Sequence, residues 1–268
     1  MTALQALRTH WPEYLIEGWA LGSFMIAAGI VATALGSPTS SLSRIVVSPL
    51  LRNVIAGIAM GLTAIVLIHC PWGRRSGAHM NPAVTLTFLR LGKTGGWDAL
   101  FYILAQIFGG TTGVLLVAAL LGPAFTDAPV SYAATMPGTG GTAVAFVAEL
   151  SISAVLMFVI LSLSGTQRFA GLTGFAAGLL VALYISFEAP LSGMSMNPAR
   201  TFASAAPAMH WDHFWIYVLG PLIGMLAAAQ LYLALRGVGK LACAKLLHPA
   251  DQRCIHCGYE PAAGGTKP

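Results

Sequence analysis

Charge is what this chain has least of. Aspartate, glutamate, lysine and arginine make up 9% of its 268 residues, nine acids and fourteen bases in all, against about a quarter in soluble domains. That scarcity excludes an ordinary soluble domain, which could not clothe its surface in groups that water solvates. A surface that is mostly lipid-facing needs no such groups, and 56% of the residues are hydrophobic. The sequence also lacks any His-Glu-x-x-His, Gly-x-Ser-x-Gly or paired-aspartate pattern, so a membrane hydrolase is set aside and no enzyme is expected. Residues 1–13 are polar and hold His10, Pro12 and Glu13 with no small-residue cleavage site. The first span is therefore expected to be retained.

What the chain has instead is long apolar runs. Six are expected to cross a bilayer, over residues 14–35, 54–70, 97–121, 143–163, 169–189 and 213–236. Two shorter runs, 82–90 and 198–206, reach only about half way at 1.5 Å per residue. On this topology Arg8, Arg74, Arg75, Arg90, Lys93, Arg168, Arg236, Lys240, Lys245, Arg253 and Lys267 fall on one side, and Arg44 and Arg52 on the other. Such an asymmetry orients both termini to the cytoplasm of an inner-membrane protein. The net charge of +5 thus reports topology, and no nucleic-acid partner is expected.

Each short run is introduced by nearly the same nine residues. Ser76-Gly77-Ala78-His79-Met80-Asn81-Pro82-Ala83-Val84 returns as Ser192-Gly193-Met194-Ser195-Met196-Asn197-Pro198-Ala199-Arg200. One Asn-Pro-Ala means only a helix start, with asparagine as N-cap and proline as first helical residue. Two copies in matching contexts mean two half-helices placed symmetrically. Irregular backbone at membrane depth is tolerated where it lines a cavity, which assigns Gly77, His79 and Gly193 to cavity-lining loops. Glu17 and Glu149 recur at equivalent places in the first and fourth spans. They are expected to accept hydrogen bonds from the loops before Asn81 and Asn197 rather than relay protons. With three spans per half the repeats, about 12–121 and 143–237, sit in opposite orientation. The fold class is thus an all-α membrane protein of six transmembrane helices and two re-entrant half-helices, over residues 1–237. The turn-rich stretch 36–53 is extra sequence in the first half.

Half-helix N-termini meeting at mid-membrane carry roughly half a positive charge each. Their field, with amide donors from Asn81 and Asn197, accepts water or hydroxyl oxygens and opposes cations, the half-helix argument that applies to aquaporin-type pores. Arg200 adds a full charge beside them.

At these motifs the chain resembles the aquaporin and glycerol-facilitator family over about residues 12–237; Gln106, Gly220-Pro221 and both glutamates also fit. The resemblance implies a passive channel for water and small neutral solutes in each subunit of a homotetramer, with no cofactor required. It also implies an outer selectivity filter of Arg200, Met194, Ile185 and either Met60 or Gly61. The aromatic and histidine usual in water-selective members are missing, and Thr201 stands where glycerol channels place aspartate. Water is the expected solute, a glycerol, urea or ammonia facilitator the alternative, and a secondary transporter a more distant one.

The tail, 238–268, lies outside the resemblance. Cys243, His248, Cys254 and Cys257-Gly258 have the shape of a zinc or iron knuckle. A disulfide or redox pair and a solvated, disordered cytoplasmic tail are the other readings, the last being the default. Cys70, at the end of the second span, is expected to be structural.

Overall fold

The protein is described by a computed structural model covering residues 1–237, 241, 243–248 and 251–261; the remaining residues of the 238–268 tail lie outside the described residues. Among the described residues every regular element is helical. Eight helices build the frame: α1 (Ala3–Gly36), α2 (Pro49–His69), α3 (Pro82–Arg90), α4 (Gly96–Leu121), α5 (Gly141–Ser164), α6 (Thr173–Phe187), α7 (Pro198–Ala208) and α8 (Ile216–Arg236). Six are long and apolar enough to cross a membrane, α6 together with the turn that starts at Ala170. The half-helices α3 and α7 are nine and eleven residues long.

Local chemistry sets the helix ends. The Asn81 side chain accepts from Ala83 N at 2.8 Å, and that of Asn197 from Ala199 N at 3.1 Å and Arg200 N at 3.2 Å. With proline next in line, each cap satisfies donors that a helix start leaves orphaned. α1 begins well before the expected residue 14. Thr2 and Gln5 exchange a reciprocal capping box, so the polar segment before the apolar run is helical too. The inserted stretch 36–53 is ordered by Arg52, which donates to the carbonyls of Val46 and Ser43, both at 2.6 Å. Cys70 ends α2 and accepts from Gly73 N at 3.3 Å, a capping role.

Packing follows a pseudo-two-fold pattern. The closest pairings are α1 with α4, α5 with α8, and α2 with α6. The first two pairs are counterparts in the two halves, and the members of the third are counterparts of each other. The half-helices cross over, α7 resting on α4 and α3 on α8. Lipid offers helices no hydrophobic drive to associate, so small residues that allow close approach decide the crossings. A Cβ added at Gly109 would stand 2.0 Å from the carbonyl oxygen of Gly18, and one at Gly224 would stand 2.2 Å from that of Leu150. Gly109→Val is therefore expected to cost about 3 kcal/mol or more, the upper range for overpacking. Thermal unfolding in detergent would show a marked fall in melting temperature for Gly109→Val and none for Gly96→Ala, where a Cβ meets nothing within 4 Å. Equal melting temperatures would remove the α1–α4 crossing as a determinant of stability.

Candidate functional site

The loops that lead into α3 and α7 run against normal backbone preference. Gly77, Ala78 and Met80 have φ of +104°, +52° and +49°, and Gly193, Met194 and Met196 have +82°, +52° and +56°. Such residues form no repeating ladder, so their N–H groups need acceptors from elsewhere. Glu17 and Glu149, both fully buried, supply them. Glu17 accepts from Ser76 Oγ at 2.7 Å, His79 N at 3.0 Å, Met80 N at 2.7 Å and Gln106 Nε2 at 2.9 Å. Glu149 accepts from Ser192 Oγ at 2.9 Å, Ser195 N at 2.6 Å and Met196 N at 2.7 Å.

The symmetry reaches residues that sequence reasoning passed over. Tyr102 donates to Ser76 O at 2.7 Å, and Tyr217 to Ser192 O at 2.6 Å. Ser76 and Ser192 stand 116 residues apart (192 − 76), as do Asn81 and Asn197 (197 − 81), and the two tyrosines 115 (217 − 102), so a nearly constant repeat offset was the available signal. The asparagine amides depart from expectation. Asn81 Nδ2 donates to Met196 O and Asn197 Nδ2 to Met80 O, each at 2.6 Å. Each loop carbonyl thus finds its donor on the opposite half-helix. One N–H per amide is engaged in clamping the two halves together, and one remains.

The clamp borders an interior cavity of about 230 Å³. Asn81, Asn197, His79, Gly193 and the side chains of Met60, Ile185, Met194 and Arg200 all line it. Met80 and Met196 line it too. Gly61 does not: it sits in the α2–α6 crossing, where a Cβ would stand 2.5 Å from Gly178 O. Of the two second-span alternatives, Met60 is therefore the one at the cavity. Arg200 donates to Thr135 Oγ1, a partner in the 122–142 loop that carried no sequence signal. Pro82, Ala83, Pro198 and Ala199 form the first turns of α3 and α7.

His79 is enclosed. Its Nδ1 lies 3.1 Å from Thr85 Oγ1, and its Nε2 donates to Ala244 O at 2.7 Å. The described tail residues therefore do not form the solvated segment expected by default; they pack under the helices. Arg253 donates to both oxygens of Glu13 at 3.1 and 3.0 Å and to Thr9 O at 2.9 Å, which places the described tail residues on the same side as the start of α1. Ligand atoms of Cys243, His248, Cys254 and Cys257 all lie within 4.8 Å of one another. Burial pushes the neighbouring His256 imidazole down to about 3, leaving it neutral at this end of the cavity.

Six spans, two half-helices joined tip to tip and a cavity beside them define a membrane protein of the aquaporin fold. The chain belongs to the major intrinsic protein family, whose sequence profile matches residues 9–232. It is 37% identical over 185 residues to "Probable aquaporin NIP-type" of Nicotiana alata, an alignment taking in 68% of this chain and 66% of the relative, just under two thirds of its length. It is also 37% identical over 190 residues to "Probable aquaporin AqpM" of Archaeoglobus fulgidus, covering 66% of this chain and 74% of that one. The aquaglyceroporin of Plasmodium falciparum shares the fold at 22% identity, with a TM-score of 0.68 over 84% of this chain and 96% of its own.

Proposed function

We propose that the chain is a passive transmembrane channel that conducts water, and other small neutral solutes, in single file while excluding protons and ions. The observation that carries this reading is the crossed asparagine clamp beside a cavity. Two half-helix N-termini and both asparagines line one cavity, so an oxygen that accepts from their N–H groups is held in file. The same positive ends repel cations. Arg200 adds a full charge at the end of the cavity away from the chain termini. The filter is Arg200 with Met60, Ile185 and Met194, and both termini are cytoplasmic in an inner membrane. Each subunit of a homotetramer carries its own pore and needs no cofactor to conduct. The aquaporin relatives support this assignment, and the NIP-type relatives fit a second reading as well, a facilitator for glycerol, urea or ammonia. That reading is favoured by the three apolar side chains of the filter, which offer no donor beyond Arg200.

Stopped-flow light scattering on proteoliposomes, challenged in turn with an impermeant osmolyte, glycerol and urea, tests both readings. Flux that does not respond to imposed pH or sodium gradients is expected, and coupling to either would mean a secondary transporter. Within the filter, Met194→Ala is expected to widen the aperture and raise glycerol permeability relative to water. An unchanged ratio would remove Met194 from the filter.

A further inference from the structure

We propose that Cys243, His248, Cys254 and Cys257 bind one zinc ion, and that the metal-held tail is a plug in the pore mouth on the side of the chain termini. Zinc loading thus closes the channel and zinc loss opens it. The inference rests on the channel reading for its consequence, but its metal site stands on its own geometry.

Three thiols and one imidazole are the donor set of a tetrahedral zinc centre, with Zn–S near 2.3 Å and Zn–N near 2.0 Å; such bonds put ligand atoms roughly 3.5–3.8 Å apart. Cys243 Sγ and Cys254 Sγ lie 3.2 Å apart, and His248 Nε2 and Cys257 Sγ 3.3 Å apart. All four ligand atoms fall within 4.8 Å of one another, so small shifts, apart for these two close pairs and together for the wider ones, complete the tetrahedron. The backbone is already turned for it. Gly258 N donates to Cys254 O at 3.0 Å, Cys254 N donates to Tyr259 O at 2.8 Å, and Gly258 adopts φ +72°. Cys243 and Cys254 are buried while His248 and Cys257 are exposed. The ion therefore has a solvent-facing side from which it can leave, which suits a regulated site.

The same short segment fills the mouth. Leu246 lines the cavity that Asn81 and Asn197 line and is buried in one apolar cluster with Met60, Val84 and Ile160. Leu246 N donates to Gly77 O at 3.2 Å, and Ala244 O accepts a hydrogen bond from His79 Nε2. His256 stacks on His79 with centroids 5.4 Å apart and planes 14° apart, and its Nε2 donates to Ser76 O at 3.2 Å. Solute leaving the asparagine clamp toward this side meets Leu246. Among the described residues, segments 243–248 and 253–257 are tied by Lys245 Nζ, which donates to Arg253 O at 2.9 Å, and by the two close pairs of candidate ligands themselves. A segment this short needs a staple to hold its shape, and the ion is that staple.

The test uses the full chain in proteoliposomes, with zinc content by elemental analysis and water permeability by stopped-flow. Wild type is expected to hold one zinc per chain. Removing zinc with a high-affinity chelator is expected to raise permeability about tenfold, as when the closed form holds roughly 90% of molecules, and added zinc to reverse it. Cys254→Ser should lose the metal and be constitutively open. Leu246→Ala should keep the metal and still be more permeable than wild type, which separates the plug from the staple. Absence of stoichiometric zinc overturns the proposal. So does permeability above that of protein-free vesicles that neither chelation nor Leu246→Ala changes; the channel reading then survives. No solute flux from any form, with zinc bound in wild type, overturns the channel reading and the plug together while the metal site stands.

Discussion

Replacing Glu149 with leucine is expected to leave almost no folded protein to assay. The carboxylate is fully buried and accepts from the Ser192 hydroxyl and the Ser195 and Met196 amides. Leucine fills similar space and accepts nothing. Each buried donor left without a partner costs about 1–3 kcal/mol, so the three together cost roughly 3–9 kcal/mol. That is a large share of the roughly 5–15 kcal/mol by which a folded protein is stable, and the loss of loop geometry adds to it. The loop it holds is also left-handed at Gly193, Met194 and Met196, conformations that a non-glycine residue keeps only while its surroundings impose them. Glu149→Gln retains an oxygen acceptor but turns an N–H toward another donor, so it should fold with a lowered melting temperature. The companion change, Glu17→Leu, orphans four donors by the same count. Detergent-solubilised yield by size-exclusion chromatography and thermal unfolding measure all three. A Glu149→Leu protein that melts with wild type would show that the loops are held by the asparagine clamp alone. If Glu149→Gln changed only the pH dependence of flux, the carboxylate would be a proton relay instead of a brace.

The two half-helices were legible in the sequence because capping is local: Asn81-Pro82 and Asn197-Pro198 announce a helix start within two residues. The repeat carried much of the rest, since the two loop motifs stand 116 residues apart (197 − 81) and each half has its own buried glutamate. Rotation about a helix was not legible. Met60 and Gly61 are neighbours, and residue counting alone could not say which faces the cavity; the close approach of Gly61 to Gly178 decides it. Neither was the run of left-handed residues, because alanine and methionine carry no bias toward positive φ. The tail shows the largest gap between the two levels. Arg253 and Glu13 are separated by 240 residues, and no local pattern marks them as partners. The cysteine spacing was visible; that the same segment carries Leu246 into the cavity was not.

Arg200→Met is expected to turn a tight channel into a leaky one for protons. Methionine approximates the stem length of arginine, so the aperture changes little while the charge is lost. A cation passing about 5 Å from a guanidinium at an effective dielectric near 20 is opposed by about 3 kcal/mol, on the order of a hundredfold in rate. The half-helix ends oppose it as well, so two barriers stand in series and the higher one governs passage. The two half-helix ends present about half a charge each, about one together, but spread over several N–H groups, and each asparagine has already committed one amide proton to the clamp. Arg200, engaged by Thr135 at its rim, keeps its whole charge, and we expect it to be the higher barrier. The measurement is proton flux into vesicles under a fixed potential, read with an entrapped pH dye and made on zinc-stripped protein so that the opposite mouth does not limit the rate. Water permeability of the same vesicles should stay within about twofold, because a neutral molecule does not feel the lost charge to first order. Unchanged proton flux would place the governing barrier at the meeting point of α3 and α7, and would leave Arg200 to shape the aperture alone.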